Sequence, residues 1–328
     1  MGQFRSSDLV VYIPEQVLVP EPLLEAMGLK GRLAGADANR VKAIRLRGVL
    51  SQGLVMAARP GWACGDDVAA ELGIVKWEPP VPACMNGQVY PAGADRCLRY
   101  DVENFKAYPE VLEDGEPVVF TEKIHGTWCQ LGLLPAGADA PHGRLVVASK
   151  GLAGKGLAFV PEAAENANNL YLRIARHLEI ERRLAEVFAA ELDAGAPVFV
   201  LGEVFGKGVQ DLGYGAKVDR DGDLGFRVFD VYRGWSGQGG YLSDAPLDEA
   251  CAALELERVP ILYRGPFSRA VMLEHTDGRE SVSGSGLHIR EGVVIRPQLE
   301  RRHPELGRVQ LKSVSAKYLL RKGGTEHN

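Results

Sequence analysis

The sequence predicts an α+β protein built mainly from antiparallel sheets with flanking helices. Short apolar segments punctuated by Gly and Pro recur from about residue 118 onward, such as residues 118–120, 145–147 and 197–202, and this pattern is typical of strands. These segments outnumber helical ones and do not alternate with them regularly, which favours antiparallel sheets over a parallel α/β fold. One long helical pattern lies between about residues 162 and 192, and its apolar residues form two series with helical spacing: Leu170, Ile174 and Leu178, then Leu184, Val187 and Phe188.

A basic segment with strand periodicity lies near the N-terminus. Ile44 and Leu46 alternate with Arg45 and Arg47, so a strand here would place the apolar pair on one side and the cationic pair on the other. Residues 30–59 contain seven Lys and Arg against one acid. A basic face of this kind suits a phosphate backbone, and a solvated strand face has the same pattern.

Chain length and turn residues predict two domains. At 328 residues the chain exceeds the usual size of a single domain. The chain becomes proline-rich at residues 78–82, and residues 91–95 add further turn residues, so we expect a boundary between residues 79 and 105. We assign residues 1–105 to the first domain and residues 106–328 to the second.

Composition restricts the classes of function. The net charge of −5 excludes a generally basic nucleic-acid binder, so any site for a polyanion must be a local basic face. The five cysteines are odd in number and contain no Cys-x-x-Cys pair, which argues against a disulfide framework or a zinc ribbon and favours a reducing compartment. The sequence has neither the apolar core of a signal peptide nor a run of about 20 apolar residues. We therefore expect a cytoplasmic protein that does not enter a membrane.

The familiar phosphate-binding and zinc-binding motifs do not occur in this sequence. Gly154-Lys155 is followed by Gly156 rather than by Ser or Thr, and no Gly stands five positions before Gly154, so this segment is not a P-loop. No Gly-x-Gly-x-x-Gly opens a helix after a strand, which leaves a dinucleotide fold without support. The histidines show no His-x-x-x-His spacing of the kind that binds zinc.

Small polar segments instead stand at the ends or beginnings of strands at six places in the second domain. The first is a lysine directly after an apolar strand and shortly before a glycine: Glu122-Lys123-Ile124-His125-Gly126. The other five are Ser149-Lys150-Gly151, Gly202-Glu203-Val204-Phe205-Gly206, Phe226-Arg227-Val228-Phe229-Asp230, Glu291-Gly292-Val293-Val294-Ile295-Arg296 and Val309-Gln310-Leu311-Lys312.

Lys123 is the candidate nucleophile of this series. Lysine reacts poorly at its ordinary pKa of about 10.4, so a neighbouring cation or a phosphate-bound metal would have to keep the amine deprotonated and aim it at a phosphoryl group. Taken by itself, a lysine in this position is more simply a surface residue. The ordered segments that follow are what favour a catalytic lysine.

In this order the segments resemble the motif series of the covalent nucleotidyltransferase superfamily, which contains polynucleotide ligases and mRNA capping enzymes. The resemblance runs from motif I at Lys123 through motif V at Lys312. His125 stands where DNA ligases and capping enzymes usually carry Asp, and His there is typical of RNA ligases. The run of residues 202–215 and the ending at residues 311–319 also look like those of RNA ligases.

Domain order is similar to that of one branch of these enzymes. Only 16 residues follow Lys312, too few for the OB domain that follows motif V in DNA ligases and capping enzymes, so we expect the extra domain before motif I. Residues 45–53 and 72–80 look like segments of the Deinococcus-type RNA ligases, which carry an N-terminal OB fold. The resemblance therefore implies an OB-like β-barrel that binds nucleic acid in residues 1–105, followed by a nucleotidyltransferase domain in residues 106–328.

The resemblance also implies a three-step reaction with ATP. Lys123 would attack the α-phosphate of ATP and release pyrophosphate, AMP would pass to a 5′-phosphate end, and a 3′-hydroxyl would displace AMP to close the bond. Charge develops on phosphoryl oxygens in each step, so a divalent metal, manganese or magnesium, is expected. The implied substrate is RNA or an RNA-containing duplex with a nick, and the implied role is RNA repair.

Individual residues receive roles from the same resemblance. His125 and Lys312 would join Lys123 in catalysis, Lys312 by contacting the α-phosphate. Glu203 and Glu291 would hold the metal's waters or the ribose hydroxyls. The remaining expected contacts are Glu122 at the adenine edge, Phe226 stacked on adenine, Lys150 at the ribose or phosphate, and Lys106 at the leaving pyrophosphate. For each of these residues, the alternative is a structural role at a helix cap, on the surface or in the core.

Two positions depart from the family pattern. Gln310 stands where many ligases place the first lysine of a Lys-x-Lys motif V, so one phosphate contact would be weaker or come from elsewhere. Trp128 follows Thr127 where phage-type RNA ligases often carry Asn, so recognition of the donor end would differ.

Three other functions are the alternatives. A capping guanylyltransferase would share the Lys123 chemistry but carry its OB domain after motif V, and a DNA ligase is disfavoured by the same domain order and by His125. A catalytically inactive nucleic-acid-binding relative is the third alternative.

Overall fold

The chain forms two compact units, Met1–Pro80 and Val81–Asn328. The computed structural model describes residues 4–78, 81–206, 208–210, 212 and 224–321. Within these ranges, no helix combines the length and the apolar character that crossing a membrane requires. Strands and helices are mixed without regular alternation, and the main sheets are antiparallel, which confirms the predicted α+β class.

The N-terminal unit is built from short strands. Its elements are β1 (Val10–Pro14), β2 (Val17–Leu18), α1 (Glu21–Ala26), β3 (Ile44–Leu46), β4 (Val49–Ser51), β5 (Gly53–Ala57), α2 (Ala69–Leu72) and β6 (Val75–Lys76). The strands pair antiparallel as β1–β5, β2–β6 and β3–β4, beside a small apolar core that includes Ile13, Val19 and Leu24. The described strands of this unit thus form three two-stranded sheets rather than a closed barrel, because each strand has a single partner strand. The OB-like character of this unit stays a prediction.

The basic segment of this unit forms the hairpin β3–β4. Arg47 and Gly48 turn the chain with positive φ angles of 49° and 86°. The predicted strand forms at Ile44–Leu46, but its apolar side chains are not buried, since Ile44 and Leu46 are 48% and 55% exposed. The reason is that β3 and β4 pair only with each other among the described strands.

The larger unit contains the strands that carry the predicted motifs. Its elements are β7 (Val89–Pro91), β8 (Glu103–Asn104), β9 (Pro117–Lys123), β10 (Thr127–Leu133), β11 (Leu145–Ser149), α3 (Lys150–Ala153), β12 (Leu157–Phe159), α4 (Leu170–His177), α5 (Ile180–Val187), α6 (Ala189–Asp193), β13 (Val198–Gly206), β14 (Leu224–Arg233), β15 (Gly240–Tyr241), α7 (Asp244–Ala253), β16 (Ile261–Pro266), α8 (Arg269–Thr276), β17 (Gly292–Pro297), β18 (Arg302–His303), β19 (Gly307–Arg308), β20 (Leu311–Val314) and α9 (Ala316–Leu319). Short 3-10 helices lie at Ala83–Met85, Phe105–Ala107 and Ala164–Asn166.

Two five-stranded sheets form the body of this unit. Strands β11, β10, β13, β14 and β15, in that spatial order, form sheet A, and strands β16, β9, β17, β20 and β8 form sheet B. Neighbouring strands are antiparallel except for the parallel pair β8–β20. Lys123 therefore belongs to sheet B and Glu203 to sheet A.

Residues 81–105 belong to the larger unit, although we assigned them to the first domain from the sequence. Strand β7 pairs with β12, and β8 extends sheet B beside β20. Tyr90 and Leu98 are buried in the same cluster as Phe199 and Leu201 of sheet A. The proline-rich stretch near residue 80 thus coincides with the break between units, and the turn residues at 91–95 connect parts of one unit.

Sheet A is buried on both faces. Cys129, Leu131 and Leu133 of β10 pack in a cluster with residues of helices α4 to α7. Trp128 and Leu134 project from the opposite face into the cluster that contains residues 90–100. Side chains alternate between the faces of a strand, so burial of both faces explains the nearly continuous apolar runs of the sequence.

The predicted helical segment forms three short helices rather than one. Helix α4 ends near Leu178, and Glu179 adopts a left-handed conformation with φ of 47° before α5 begins. Each apolar series has its own helix, and Ile174 of α4 and Leu184 of α5 pack in the same core cluster. The two series were therefore signs of two helices.

A buried ionic cluster joins sheets A and B. Asp230 of β14 is 0% exposed and accepts hydrogen bonds from Arg296 of β17 at 2.7 Å and from Arg308 of β19 at 2.8 and 2.9 Å. The hydroxyl of Tyr100 also donates to Asp230 and lies 3.0 Å from Oε1 of Gln310. Burial alone would raise the pKa of Asp230, but the two guanidinium groups outweigh it and hold this pKa below its ordinary value. The cluster therefore ties together the two sheets that carry the candidate site.

Candidate active site

Lys123 is the last residue of β9 and lies beside a buried carboxylate. Its Nζ is 2.6 Å from Oε1 of Glu291, whose side chain is 7% exposed against 27% for Lys123. Strand β17 begins at Gly292, directly opposite Lys123, so the residue before β17 comes next to the lysine. The predicted nucleophile and the predicted strand-initial carboxylate are thus in contact, and the amine remains partly accessible.

Lys312 projects from the same face of sheet B as Lys123. Lys123 is opposite Gly292, and Lys312 is opposite Val294, two residues further along β17. Side chains that are opposite each other or two residues apart share a face. A Cβ on Gly292 would lie 2.1 Å from the carbonyl oxygen of Ser313, so the close approach of β17 and β20 requires glycine there. Two lysines on one face form a surface that can hold phosphate.

His125 is held from two sides in the loop after β9. Its Nδ1 shares a hydrogen bond of 2.7 Å with the hydroxyl of Tyr318 in α9, and the two rings meet edge to face. Tyr318 is fully buried. Oε2 of Glu291 lies 3.8 Å from the same ring nitrogen. Glu291 thus has one oxygen towards the lysine and the other towards the histidine, and Tyr318 fixes the orientation of the imidazole ring.

Gly126 lets the loop after β9 approach β13 of sheet A. A Cβ at this position would lie 2.2 Å from the carbonyl oxygen of Val204 and 2.9 Å from Cγ of Glu203. The backbone N–H of Gly126 donates to the Glu203 carboxylate, and Gln210 donates to the carbonyl of Gly126 at 2.9 Å. This loop therefore brings Glu203 of sheet A to the motif I residues of sheet B.

Glu203 lies in an environment that disfavours its charge. Burial raises the pKa of Glu203 to about 8 against the positive charge of Lys123, and the negative charge of Glu291 adds to the rise. Lys150, at the start of α3, also acts on Glu203 and lies 3.1 Å from Asp101. Four of the predicted site residues thus interact across the two sheets: Lys123, Lys150, Glu203 and Glu291.

Glu122 precedes the candidate nucleophile and is 2% exposed. Its Oε2 accepts hydrogen bonds from the backbone N–H of Ser281 at 2.9 Å and from the Ser281 hydroxyl. Oε1 is buried and has no hydrogen-bond partner among the described residues. Burial raises the pKa of Glu122, and the bonds from Ser281 oppose the rise. A buried acceptor without a donor costs free energy, so a ligand that donates to Oε1 would be stabilised here.

Three other positions from the sequence analysis, Phe226, Lys106 and Gln310, lie elsewhere in the larger unit. Phe226 is 5% exposed, and its ring lies so close over Gly202 that a Cβ there would be 2.2 Å from it, which places Phe226 in the core of sheet A. Lys106 lies in the 3-10 helix after β8. Gln310 is 2% exposed and donates to the carbonyl of Asp101 at 3.1 Å, so it has a structural role in the ionic cluster. The contacts of Phe226 and Lys106 with a nucleotide stay predictions.

Trp128 lies next to Glu203, because the two residues are directly paired between β10 and β13. It is 8% exposed, and its Nε1 is buried without a partner among the described residues. This departure from phage-type RNA ligases is therefore next to the site. Some residues of the run 202–215 lie outside the described ranges, namely Lys207, Asp211 and residues 213–215.

Sequence reasoning gave no role to Tyr318 or Ser281. Tyr318 is 193 positions from His125, and Ser281 is 159 positions from Glu122. Spacing within a motif does not reveal such partners. The only available signal was that Tyr318 lies in the ending that looks like that of RNA ligases.

Comparisons with known proteins agree with this geometry. A match to the family described as RNA ligase spans residues 116–319, more than half of the chain, and includes every motif from Lys123 to Lys312. A search of the curated proteins gives no match. Solved structures of the Naegleria gruberi RNA ligase share the fold, each aligned over 97% of this chain and 88% of that chain.

Three of these structures illustrate the likeness. An arginine-to-alanine mutant with ATP and Mn has a TM-score of 0.75 at 22% identity. The enzyme with PPi and a lysine-to-methionine mutant with AMP and Mn each have a TM-score of 0.74 at 23% identity. The structural likeness establishes the fold, and the family match covers the residues of the candidate site. This chain belongs to the RNA ligase family.

Proposed function

We propose that this protein is an ATP-dependent RNA ligase that joins a 3′-hydroxyl end to a 5′-phosphate end through an AMP intermediate on Lys123. The 2.6 Å contact between Nζ of Lys123 and Glu291, with Glu203 and His125 beside them, carries the proposal. Family membership supports the reaction class. The Naegleria gruberi enzyme of the same fold has been solved with ATP and Mn and with AMP and Mn, which supports these cofactors for this chain.

In the first step, Nζ of Lys123 attacks the α-phosphorus of ATP. An N–P bond forms, the bond from the α-phosphorus to the bridging oxygen breaks, and pyrophosphate leaves. The amine must be neutral to attack, so it first loses a proton to solvent. Oε1 of Glu291 at 2.6 Å holds the amine in position, and the positive charge of a divalent metal beside it would favour the neutral form. Lys312, on the same face of sheet B, stabilises the negative charge on the α-phosphate oxygens.

The two later steps use the same residues. The N–P bond to Lys123 breaks as an oxygen of the 5′-phosphate end bonds to the phosphorus of AMP, and the leaving amine regains a proton. The oxygen of the 3′-hydroxyl then bonds to the phosphorus of the activated end while its proton passes to solvent. The bond between that phosphorus and the phosphate oxygen of AMP breaks, and AMP departs. His125, held by Tyr318 at 2.7 Å, orients Glu291 and the end groups beside the lysine.

A divalent metal fits the carboxylates of this site. Burial raises the pKa of Glu203 to about 8, and the negative charge of Glu291 adds to the rise, so a divalent cation beside the two carboxylates would be stabilised. Among the described residues, no group of three or more His, Cys, Asp or Glu side chains could hold a metal by itself. This suits magnesium or manganese, which keep most of their ligands as water and phosphate oxygens. We therefore assign Glu203 and Glu291 as the protein ligands, and the metal would stabilise charge on the phosphoryl oxygens.

Four residues complete the proposed nucleotide site. Oε1 of Glu122 is a buried acceptor without a partner among the described residues and suits the amino group of adenine, whereas guanine carries an oxygen at the same position. Lys150 acts on Glu203 electrostatically and would contact the ribose or a phosphate. Phe226 would stack on adenine, and Lys106 would contact the departing pyrophosphate.

The substrate we propose is a nicked duplex that contains RNA, in the context of RNA repair. The N-terminal unit would be the OB-like binding module, because the hairpin β3–β4 exposes Arg45 and Arg47 beside Ile44 and Leu46. The larger unit would be the adenylyltransferase module. All five cysteines are free, which supports a reducing compartment such as the cytoplasm.

Strand joining tests the substrate class. A nick with a 3′-ribose end and a nick with a 3′-deoxyribose end are offered in otherwise identical duplexes, and we expect the protein to seal the ribose end faster. Lys123→Ala should seal neither, whereas Lys317→Ala, which removes an exposed lysine of α9 (67% exposed side chain), should seal like the wild type. Equal sealing of both nicks would overturn the RNA assignment.

A further inference from the structure

One of the cavities in the larger unit is strongly basic. It has a volume of about 860 Å³. Five lining residues are cationic and one is acidic: Arg99, Lys155, Arg301, Arg302 and Arg308 against Glu300. In a chain with a net charge of −5, such a local excess of cations is the feature that attracts a polyanion.

Three of these cations lack a counter-ion within the described protein. Arg301 is neutralised by Glu116 at 2.6 Å, and Arg308 is neutralised by Asp230 and Glu300 at 2.8 and 2.7 Å. The remaining three have exposed side chains and form no ion pair with a described residue: Arg99, Lys155 and Arg302. An external anion would therefore find three available positive charges at this cavity.

The cavity lies at the strand ends opposite to the candidate active site. In sheet A, Tyr232 lines the cavity and is paired with Phe199, which is four residues, or about 13 Å, along β13 from Glu203. In sheet B, β17 starts at Gly292, which is paired with Lys123, and ends five residues later at Pro297, about 17 Å along the strand. Arg302 follows beyond this far end of β17. Neither Glu203 nor Glu291, which interact with Lys123, lines the cavity.

The walls of the cavity suit a nucleic-acid strand. Six of the twenty lining residues are glycine, so a phosphate can approach the backbone closely. The half-buried ring of Tyr241 is fixed by Tyr232 at a centroid distance of 4.8 Å and carries the guanidinium of Arg308 over one face at 3.7 Å, so a base would stack on its other face. The three available cations come from separate segments and are exposed, which suits a chain of phosphates rather than one enclosed phosphate.

We infer that this cavity binds the phosphate backbone of the RNA substrate about four or five nucleotides from the ends being joined, an inference that rests on the proposed RNA ligase function. One strand of a duplex carries a phosphate for about every 3.4 Å of its length. The strand lengths of about 13 Å from Glu203 and about 17 Å from the residue paired with Lys123 therefore correspond to about four or five nucleotides.

Two charge-matched triple variants test the inference by RNA binding. Arg99→Ala/Lys155→Ala/Arg302→Ala removes the available cations of the cavity. The control, Arg176→Ala/Arg182→Ala/Arg269→Ala, removes three exposed cations from α4, α5 and α8. Fluorescence anisotropy measures the affinity of each protein for a labelled RNA of about 20 nucleotides without a 5′-phosphate, over a series of salt concentrations.

The cavity variant should bind at least about tenfold more weakly, and its plot of log affinity against log salt should be shallower by about two. The control should keep the wild-type affinity and slope. Wild-type binding by the cavity variant, or an equal loss in the control, would overturn the inference.

Transfer of label from α-labelled ATP to the same proteins separates this inference from the proposed function. We expect equal labelling of the wild type and of the cavity variant, because the cavity is not the nucleotide site. Weak labelling of the cavity variant with unchanged RNA binding would assign the cavity to a free nucleotide and overturn the inference. If the wild type is not labelled but still binds RNA more tightly than the cavity variant does, the proposed function is refuted and the RNA site is retained.

Discussion

Replacing Asp230 by Asn should be one of the most destabilising single changes in the larger unit. The side chain is 0% exposed and lies between the guanidinium groups of Arg296 and Arg308 at 2.7 to 2.9 Å. Asparagine keeps the shape but removes the charge and turns an amide NH₂ towards groups that only donate. Removing one partner of a buried ion pair costs about 3–5 kcal/mol. Arg308 keeps Glu300 at 2.7 Å, so we expect the lower end, about 3 kcal/mol.

Urea and thermal unfolding measure this cost. For a unit of this size, 1 kcal/mol shifts the Tm by about 2–4 °C, so a loss of about 3 kcal/mol should lower the Tm by about 6–12 °C. Asp248→Asn is the matched control, because Asp248 pairs with Arg258 at 2.6 Å but its side chain is 43% exposed, and such pairs contribute at most about 1 kcal/mol. If Asp230→Asn unfolds at the same midpoint as Asp248→Asn, the reasoning is refuted.

The same carboxyl sets a pH dependence whose sign is fixed. The charges of Arg308 and Arg296 overcome burial and hold the pKa of Asp230 below its ordinary value of 3.8. A carboxyl whose pKa is lower in the folded state stabilises the protein above the unfolded pKa, and this contribution is lost as the pH falls through the folded pKa. The difference in unfolding free energy between wild type and Asp230→Asn should therefore be constant down to about pH 5 and shrink in stronger acid. A difference that grows in acid would contradict the assignment.

Three further predictions concern the candidate site itself. Tyr318→Phe removes the hydroxyl that lies 2.7 Å from Nδ1 of His125 and should slow single-turnover strand joining about 5- to 30-fold; a wild-type rate would show that the bond has no positioning role. Gly126→Ala should reduce AMP labelling about 100-fold, since its Cβ would lie 2.2 Å from a carbonyl oxygen of β13, whereas Gly151→Ala meets no atom within 4 Å and should label normally. Glu122→Gln should lower the ratio of ATP to GTP labelling about tenfold, and an unchanged ratio would exclude this carboxyl from reading adenine.

The strands and the candidate nucleophile were predictable because their signals are local. An apolar run that ends at Lys123 predicts a strand end, and a carboxylate before an apolar run predicts that Glu291 begins one. The contact of 2.6 Å between them arises from the pairing of β9 with β17. That pairing joins segments far apart in the chain, so local periodicity predicts both residues and not their distance.

The features that depend on tertiary packing were not predictable. The ionic cluster around Asp230 gathers groups from three distant segments, and only the fold brings them together. The net charge of −5 predicted that a basic site must be local, and residues 30–59 were one basic face that the sequence indicated, a prediction that stays open. The basic cavity lined by Arg99, Lys155 and Arg302 lies in the larger unit and had no signal in the sequence, because its cations are scattered along the chain and converge only in the fold.

Covalent labelling tests the central claim most directly. The protein is mixed with manganese or magnesium and α-labelled ATP or GTP, and a denaturation-stable labelled band is sought in wild type, Lys123→Ala and the exposed-lysine control Lys317→Ala. The account predicts a band with ATP only, present in the wild type and in Lys317→Ala and missing in Lys123→Ala. Labelling by GTP would indicate a capping-type guanylyltransferase. A band that persists in Lys123→Ala, or no band in the wild type with either metal, would contradict the assignment of Lys123 as the nucleophile of an RNA ligase.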